Sequence, residues 1–349
     1  MKIQPFDFSV IQAPMLGVTS PEMVAAVSLS GGLGSLPVGG LSPLKTLELI
    51  KKTKMLMDRP FAVNLFTNVM PTVDKEVAGT MQHFLQYLGE KYQIPFAFEP
   101  LNALKSYSYK DQIEVILSEG VQIVSFTFGI LDDETIVRLK ENNVLLIGTA
   151  TCLAEAQLLD DKNIDIIVAQ GIEAGGHRGT FLDDFPLPQI GVASLVSQIV
   201  KVISKPVIAA GGINDEKSIR SVLSAGAKGI QAGTAFIASE ESLASSAYKK
   251  MLKQATEANT ILTRCFSGRW ARSIRNRMIE EFEQSGLPIP EYPIQNILTM
   301  PLRTSAKRLD NADFMSLYAG QAGFKARNVS ATEICRELIL CLKAINRVL

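Results

Sequence analysis

The residues with the clearest chemistry lie in AQGIEAGGHRGT, Ala169 to Thr180, directly behind the apolar run DIIV. The chain holds two histidines, and one of them, His177, stands among glycines with little side-chain bulk beside it. An imidazole titrates near neutral pH, so one placed at a strand end and flanked by glycines reads as a general base. Gln170 closes the preceding run, and its amide is expected to point into the mouth that the loop borders. Gly175 and Gly176 leave room for something flat or bulky to press against the backbone beside His177. His83, inside TMQHFLQYL, reads as structural.

Two more glycine loops suit an anion. Gly211-Gly212 follow PVIAA and lead through Ile213-Asn214-Asp215 into a helical stretch, while Gly233-Thr234 follow GIQA. Glycine lets backbone N–H groups approach a phosphate, a helix N-terminus adds donors and dipole, and Thr234 adds a hydroxyl. Each loop alone is also an ordinary strand-to-helix turn; the two in this order match the phosphate site after the last two strands of a barrel. No GxGxxG follows the first strand and no GxxxxGK[ST] occurs, which leaves little support for a dinucleotide or P-loop site. Gly31-Gly32-Leu33-Gly34 precedes a strand and reads as a helix end.

The elements that must position these loops alternate. Eight β-rich runs begin at Val10, Leu33, Phe61, Val121, Leu145, Asp165, Pro206 and Gly229. Most are apolar without alternation, as strands covered on both faces should be. Helical spacing fills the gaps, as in Pro21–Ser30, Asp133–Asn142, Leu153–Asp160 and Asp215–Ala225. The pattern predicts an α/β fold, a (β/α)8 TIM barrel, with an added mostly helical subdomain. Residues 1–240 form the barrel in this reading, with an excursion at 67–120 in which Lys75–Tyr92 is helical and PFAFEP, Pro95–Pro100, is a short extra strand. Residues 241–349 form the helical subdomain on the substrate side, interrupted by GLPIPEYP, with a C-terminal segment returning to the barrel. The arginine cluster GRWARSIRNR at Gly268–Arg277 reads as a solvated, salt-bridged helix face because IEEFE follows it.

Composition narrows the classes of partner. Among 349 residues, 47% are hydrophobic, enough for one large core or two modest ones. Thirty-five Lys plus Arg balance thirty-five Asp plus Glu, so no net field draws nucleic acid or anionic lipid. Cys152, Cys265, Cys335 and Cys341 include no CxxC pair, and with two histidines they complete no usual zinc set. The expectation is a cytoplasmic protein with reduced thiols and a small-molecule partner, with no metal and no membrane span.

Assembled, these motifs resemble the nitronate monooxygenase family, formerly called 2-nitropropane dioxygenases, in its bacterial class I form. The resemblance spans nearly the whole chain. It rests on IQAPMLGVTSPEMVAAVSLSGGLGSL, PFAVNLF, AQGIEAGGHRG, IAAGGIND with GAKGIQAGTAF, and SLYAGQ at Ser316–Gln321. It implies FMN on a TIM barrel, held by Met15, Asn64, Gln170, Gly175, Gly176, Gly211, Gly212, Gln231, Ala232, Gly233 and Thr234. Tyr318 and Gln321 would reach in from the helical side toward flavin or substrate, and His177 would be the catalytic base. The implied reaction is oxidation of alkyl nitronates by O2 to a carbonyl compound and nitrite, with propionate 3-nitronate as the expected substrate and nitroalkanes as further ones. One departure stands out. Many relatives carry a histidine in an SFHFG strand where this chain has SFTFG, and Thr127 carries no charge. An FMN-dependent enoyl-acyl-carrier-protein reductase using NAD(P)H, whose EAGGH loop is similar, is the alternative; a flavoprotein sensor or storage protein without turnover is a third. The oligomeric state stays open, a homodimer being compatible with the sequence.

Overall fold

Ser-Pro and Asp pairs start the helices where the sequence places them. Ser20 and Ser42 accept from the backbone N–H three residues on, each followed by proline at the first helical position. The computed structural model describes residues 8–98, 107–182 and 187–347. Its first half runs β1 (Val10–Gln12), α1 (Pro21–Leu29), β2 (Ser35–Pro37), α2 (Pro43–Leu56), β3 (Ala62–Phe66), α3 (Lys75–Lys91), α4 (Lys110–Ser118) and β4 (Ile123–Thr127). Then come α5 (Asp133–Glu141), β5 (Leu145–Ala150), α6 (Leu153–Asp161), β6 (Ile166–Gln170) and a two-residue strand, β7 (Gly176–His177). The barrel ends with α7 (Val192–Ile199), β8 (Val207–Ala210), α8 (Glu216–Ser224), β9 (Gly229–Ala232) and the short α9 (Thr234–Ile237).

Eight strands stand side by side in the order β1-β9-β8-β6-β5-β4-β3-β2, every named pair parallel. A parallel bridge from Ile11 to Leu33 closes the ring, with Gln12 N–H donating to Leu33 O at 2.9 Å. This is the TIM barrel that the eight apolar runs predict. Successive side chains in a strand face opposite ways, and both ways are buried. Ile11, Ala62, Ile123, Ile147, Val168 and Ile208 fill the interior, while Val10, Val63, Val124, Leu146, Ile167 and Ile230 pack outward against helices. That double burial is why the strands show no polar alternation. As expected, Gly31, with φ +91°, follows the end of α1.

The second half adds α10 (Ser246–Gln254), β10 (Thr260–Thr263), β11 (Ala271–Ile274), α11 (Arg277–Ser285), α12 (Ile294–Arg308) and α13 (Ala331–Asn346). A second core joins Met81, Leu85 and Leu88 of α3 to Leu252, Met278, Phe282, Leu298 and Leu302. Because α9 has only four residues, it cannot cover the outside of β9 and β1. The chain's last long helix does so instead. α13 lies against α1, α8 and β1, and its Ile334, Cys335, Leu338 and Leu342 belong to the barrel's outer core.

Two expectations are corrected. Pro95–Phe98 form no strand; Glu99 and Pro100 lie outside the described residues. The segment is pinned by aromatic packing instead: Phe96 and Phe98 meet edge-on at 5.0 Å, and Phe96 fills the space beside Gly89. The arginine cluster is not a helix face. Ala271–Ile274 is a buried strand between β10 and β7. The end of the cluster is salt-bridged as expected, Arg275 to Glu283 at 2.5 Å and Arg277 to Glu280 at 2.8 Å.

Candidate active site

His177 leaves the barrel to join another sheet. In β7 it pairs antiparallel with Ala271 of β11, and Gly176 pairs with Arg272. The segment is fixed from below. Gln170 Nε2 donates to His177 O at 3.0 Å and its Oε1 accepts from Gly179 N–H at 2.8 Å, so this amide clamps the loop and does not point freely into the mouth. Arg178, fully buried, donates to Gly171 O and Gln170 O. Glu155, also fully buried, accepts from Thr180 Oγ1 at 2.8 Å and Phe181 N–H at 2.7 Å. Burial pushes the Arg178 guanidinium down to about 10, with Glu155 opposing the shift. Buried charge of this kind persists when it is paired and hydrogen-bonded.

The imidazole sits in an aromatic enclosure. Ring centroids of Phe128, Tyr292 and Tyr318 lie 5.6, 6.2 and 5.1 Å from it. Phe128 holds a positive φ of 78° to reach this place. The Arg269 guanidinium carbon lies 4.4 Å from the Phe128 centroid, a cation–π arrangement, and Arg269 also donates to Thr180 O. Arg303 of α12 is held by Thr299 Oγ1 at 3.0 Å and Ser316 Oγ at 3.2 Å. Burial, then the charges of Arg269 and Arg303, push the His177 imidazole down to about 3. It is therefore neutral at pH 7 and holds a lone pair. The same two cations favour any anion formed or bound beside it. Burial raises Tyr318 to about 12, with the nearby Ser267 hydroxyl opposing the shift, so the Tyr318 hydroxyl keeps its proton.

The glycine loops follow β8 and β9, the next strands after β6 in the barrel, and lie against the His177 loop: a β-carbon on Gly211 would meet Ala174, and one on Gly212 would meet Glu173. Gly211 and Gly212 have φ of +120° and +68°, conformations that favour glycine. Among the described residues the N–H groups of Gly212, Gly233 and Thr234 donate to nothing, and the buried Asn214 Oδ1 has no partner. A β-carbon on Gly233 would lie 3.3 Å from Ala13 Cβ and 3.6 Å from Met15 Sδ, so Met15 and Gly233 are neighbours. Gln231 and Ala232 pair with Ile11 and Gln12 in the same wall. The segment after Tyr318 is laced across the strand ends. Gly320 N–H donates to Thr234 Oγ1 at 3.0 Å, Gln321 N–H to Glu173 O at 3.0 Å, and Asn214 Nδ2 to Ala322 O at 3.0 Å. Gly175 makes room for this backbone, whereas Gly176 opens onto free space, with Tyr318 Cβ the nearest atom at 4.0 Å. Asn64, buried on β3, donates to Ser125 Oγ at 3.0 Å, two strands round the barrel from β1.

The structure thus gathers His177, Gly176 and Tyr318, sets Gly212 against Glu173 of the same loop, makes Met15 and Gly233 neighbours, and ties Thr234 to Gly320 of the Tyr318 segment. Sequence reasoning missed Ser267, Arg269, Tyr292 and Arg303. Ser267 Oγ stands 2.7 Å from His177 Nε2. Serines are too common to be singled out, and Arg269 was hidden in a cluster that reads as a surface. Thr127 lies where its Cγ2 faces Gly179, so the positive charge near the base comes from the added subdomain and not from β4. No helix among the described residues is long and apolar enough to cross a membrane.

Comparison with known proteins agrees over nearly the whole chain. The family model described as nitronate monooxygenase matches residues 1–340. The chain is 39% identical over 336 residues to the "Probable nitronate monooxygenase" of Staphylococcus saprophyticus, covering 95% of this chain and 94% of that one. A relative of the same name from Staphylococcus aureus is 38% identical over 335 residues, with the same coverage. Among solved structures, nitroalkane oxidase from Streptomyces ansochromogenes superposes with a TM-score of 0.88 at 36% identity, covering 98% of each chain. FabK from Thermotoga maritima, with a TM-score of 0.75 at 23% identity over 98% of this chain and 95% of that one, shares the fold. A family model matched over residues 1–340, together with relatives near two-fifths identity, shows that the chain is an enzyme and belongs to the nitronate monooxygenase family.

Proposed function

We propose that this enzyme binds FMN and oxidises alkyl nitronates with O2 to a carbonyl compound and nitrite, propionate 3-nitronate being the substrate to test first. The observation that carries the reading is the neutral His177, enclosed by aromatic rings beside two guanidinium groups. A nitronate is a stabilised carbanion with its charge on oxygen, and Arg269 and Arg303 supply the field that favours it. A neutral nitroalkane must first lose its α-proton, for which His177 offers a lone pair. The proton lands in a site where imidazolium is disfavoured, so the step is driven by the stability of the nitronate that forms beside the arginines.

The free N–H donors of Gly212, Gly233 and Thr234 fit a single phosphate. This favours FMN over a dinucleotide. When bound there, the flavin would supply the one-electron chemistry toward nitronate and oxygen. Gly176 leaves the open surface beside His177 that a flat ring needs. Phe128, Tyr292 and Tyr318 put aromatic surface around the imidazole, which lowers the local polarity and strengthens the charge interactions beside it. The enoyl reductase reading is supported here by shared fold alone.

The test is direct. The purified protein should be yellow and should release FMN on denaturation, and it should form nitrite from propionate 3-nitronate in air. Release of FAD only, or absence of nitrite formation by flavin-loaded protein, would overturn the proposal.

A further inference from the structure

We propose that Ser267 is a positioning residue that sets the tautomer of His177, its hydroxyl oxygen accepting from Nε2–H so that Nδ1 is the nitrogen that takes the proton. The inference rests on the general-base reading of His177 and adds which nitrogen acts. Ser267 is buried in the connection between β10 and β11, 1% exposed. Its Oγ lies 2.7 Å from His177 Nε2, 3.3 Å from Arg269 N and 3.4 Å from Arg269 O.

A hydroxyl has one hydrogen and two lone pairs. Arg269 N–H takes one lone pair. If Ser267 gave its hydrogen to Nε2, that nitrogen's lone pair would be spent and Nδ1 would carry the ring's one hydrogen. No lone pair would then remain for a carbon acid. In the other arrangement Nε2–H donates to Oγ, the hydroxyl donates to Arg269 O, and Nδ1 is free. The contacts of Ser267 with His177 and Arg269 are then satisfied, and the Tyr318 hydroxyl beside it keeps its own proton. When the ring gains its second proton, the Nε2–H bond persists and strengthens because its donor is now charged.

Among the described residues, no other group that faces the ring takes this part. Arg269 from the same connection and Arg303 from α12 are cations that only donate. Tyr292 before α12 and Tyr318 after it meet the ring as aromatic neighbours, with no hydrogen bond to it among the described residues. Phe128, after β4, is apolar. Histidine bases often lean on a carboxylate, but among the described residues the contacts of this ring include none. A neutral serine holds the tautomer without adding a negative charge, which would oppose the anionic substrate.

Because the chain has two histidines, His83→Gln leaves a single imidazole to observe. Histidine labelled with nitrogen-15 in the flavin-containing enzyme should give, near neutral pH, one neutral ring with hydrogen on Nε2 and a bare Nδ1. Adding Ser267→Ala should yield a mixture of both tautomers. It should also lower nitroalkane turnover roughly tenfold, as expected for one lost hydrogen bond to a charged group, with nitronate turnover retained. A native ring protonated on Nδ1, or a tautomer unchanged by Ser267→Ala, overturns the proposal. Failure of the base reading itself would appear elsewhere, as an equal loss of nitroalkane and nitronate turnover in His177→Asn, and would leave these spectra as they are.

Discussion

Gly175 and Gly320 approach so closely that a β-carbon on Gly175 would lie 2.3 Å from the Gly320 nitrogen. Backbone meets backbone there, and the loop that carries His177 is thereby held to the segment that carries Tyr318. Gly175→Ala must push the two apart, because no flexible side chain is available to give way. The expected cost is that of overpacking, about 1–3 kcal/mol, with flavin content reduced as Tyr318–Gln321 shift. Thermal melts and the flavin-to-protein ratio check this, and a variant with the native midpoint and full flavin would contradict it.

Gly233 offers a cleaner probe of the phosphate position, since its φ of −114° suits any residue. A larger side chain there would crowd Ala13, Met15 and the space before the Gly233 and Thr234 amides. Gly233→Val should weaken FMN binding in an equilibrium titration with little change in the fold by circular dichroism. Unchanged affinity would place the phosphate elsewhere.

The source of electrons separates this reading from a reductase. If nitronate itself reduces the flavin, NADPH is unnecessary, and anaerobic mixing with NADPH should leave the flavin spectrum oxidised. Rapid bleaching, accompanied by reduction of a crotonyl thioester, would favour the reductase.

Acid should destabilise the protein through His177. The folded imidazole resists protonation down to about 3, against an ordinary value of 6.5. Between these limits the unfolded chain binds more protons, so stability falls as pH drops from about 6.5 toward 3. His177→Gln removes that contribution, and denaturant melts at pH 7 and pH 5 should show a smaller difference for the variant. An identical difference would mean that the native ring is not held neutral.

The barrel was legible because each strand is buried on both faces, which leaves an unbroken apolar run such as Ile166–Val168. The role of α13 was not, since nothing local in Ala331–Asn346 says that α9 stops after one turn and leaves β9 and β1 uncovered. β10 and β11 were missed for a related reason. Arg272 reads as a surface residue, yet it is buried because Ile172 O and Thr260 accept its hydrogen bonds. Such satisfaction is tertiary and leaves no periodic trace. His177 and the phosphate-side glycines could be read from chain position alone. Their partners Ser267, Arg269 and Arg303 arrive from about 90 to 126 residues further on, where spacing carries no information.

The central claim is proton transfer by His177, and one variant with two substrates tests it. His177→Asn keeps polarity and approximate size but cannot take a proton. Neutral nitroalkanes must be deprotonated, so their turnover should fall by roughly 10²–10⁴, the loss expected for a positioned base. Nitronates arrive ionised, and their turnover should survive with a much smaller loss and with flavin retained. A nitroalkane rate preserved in this variant would contradict the account.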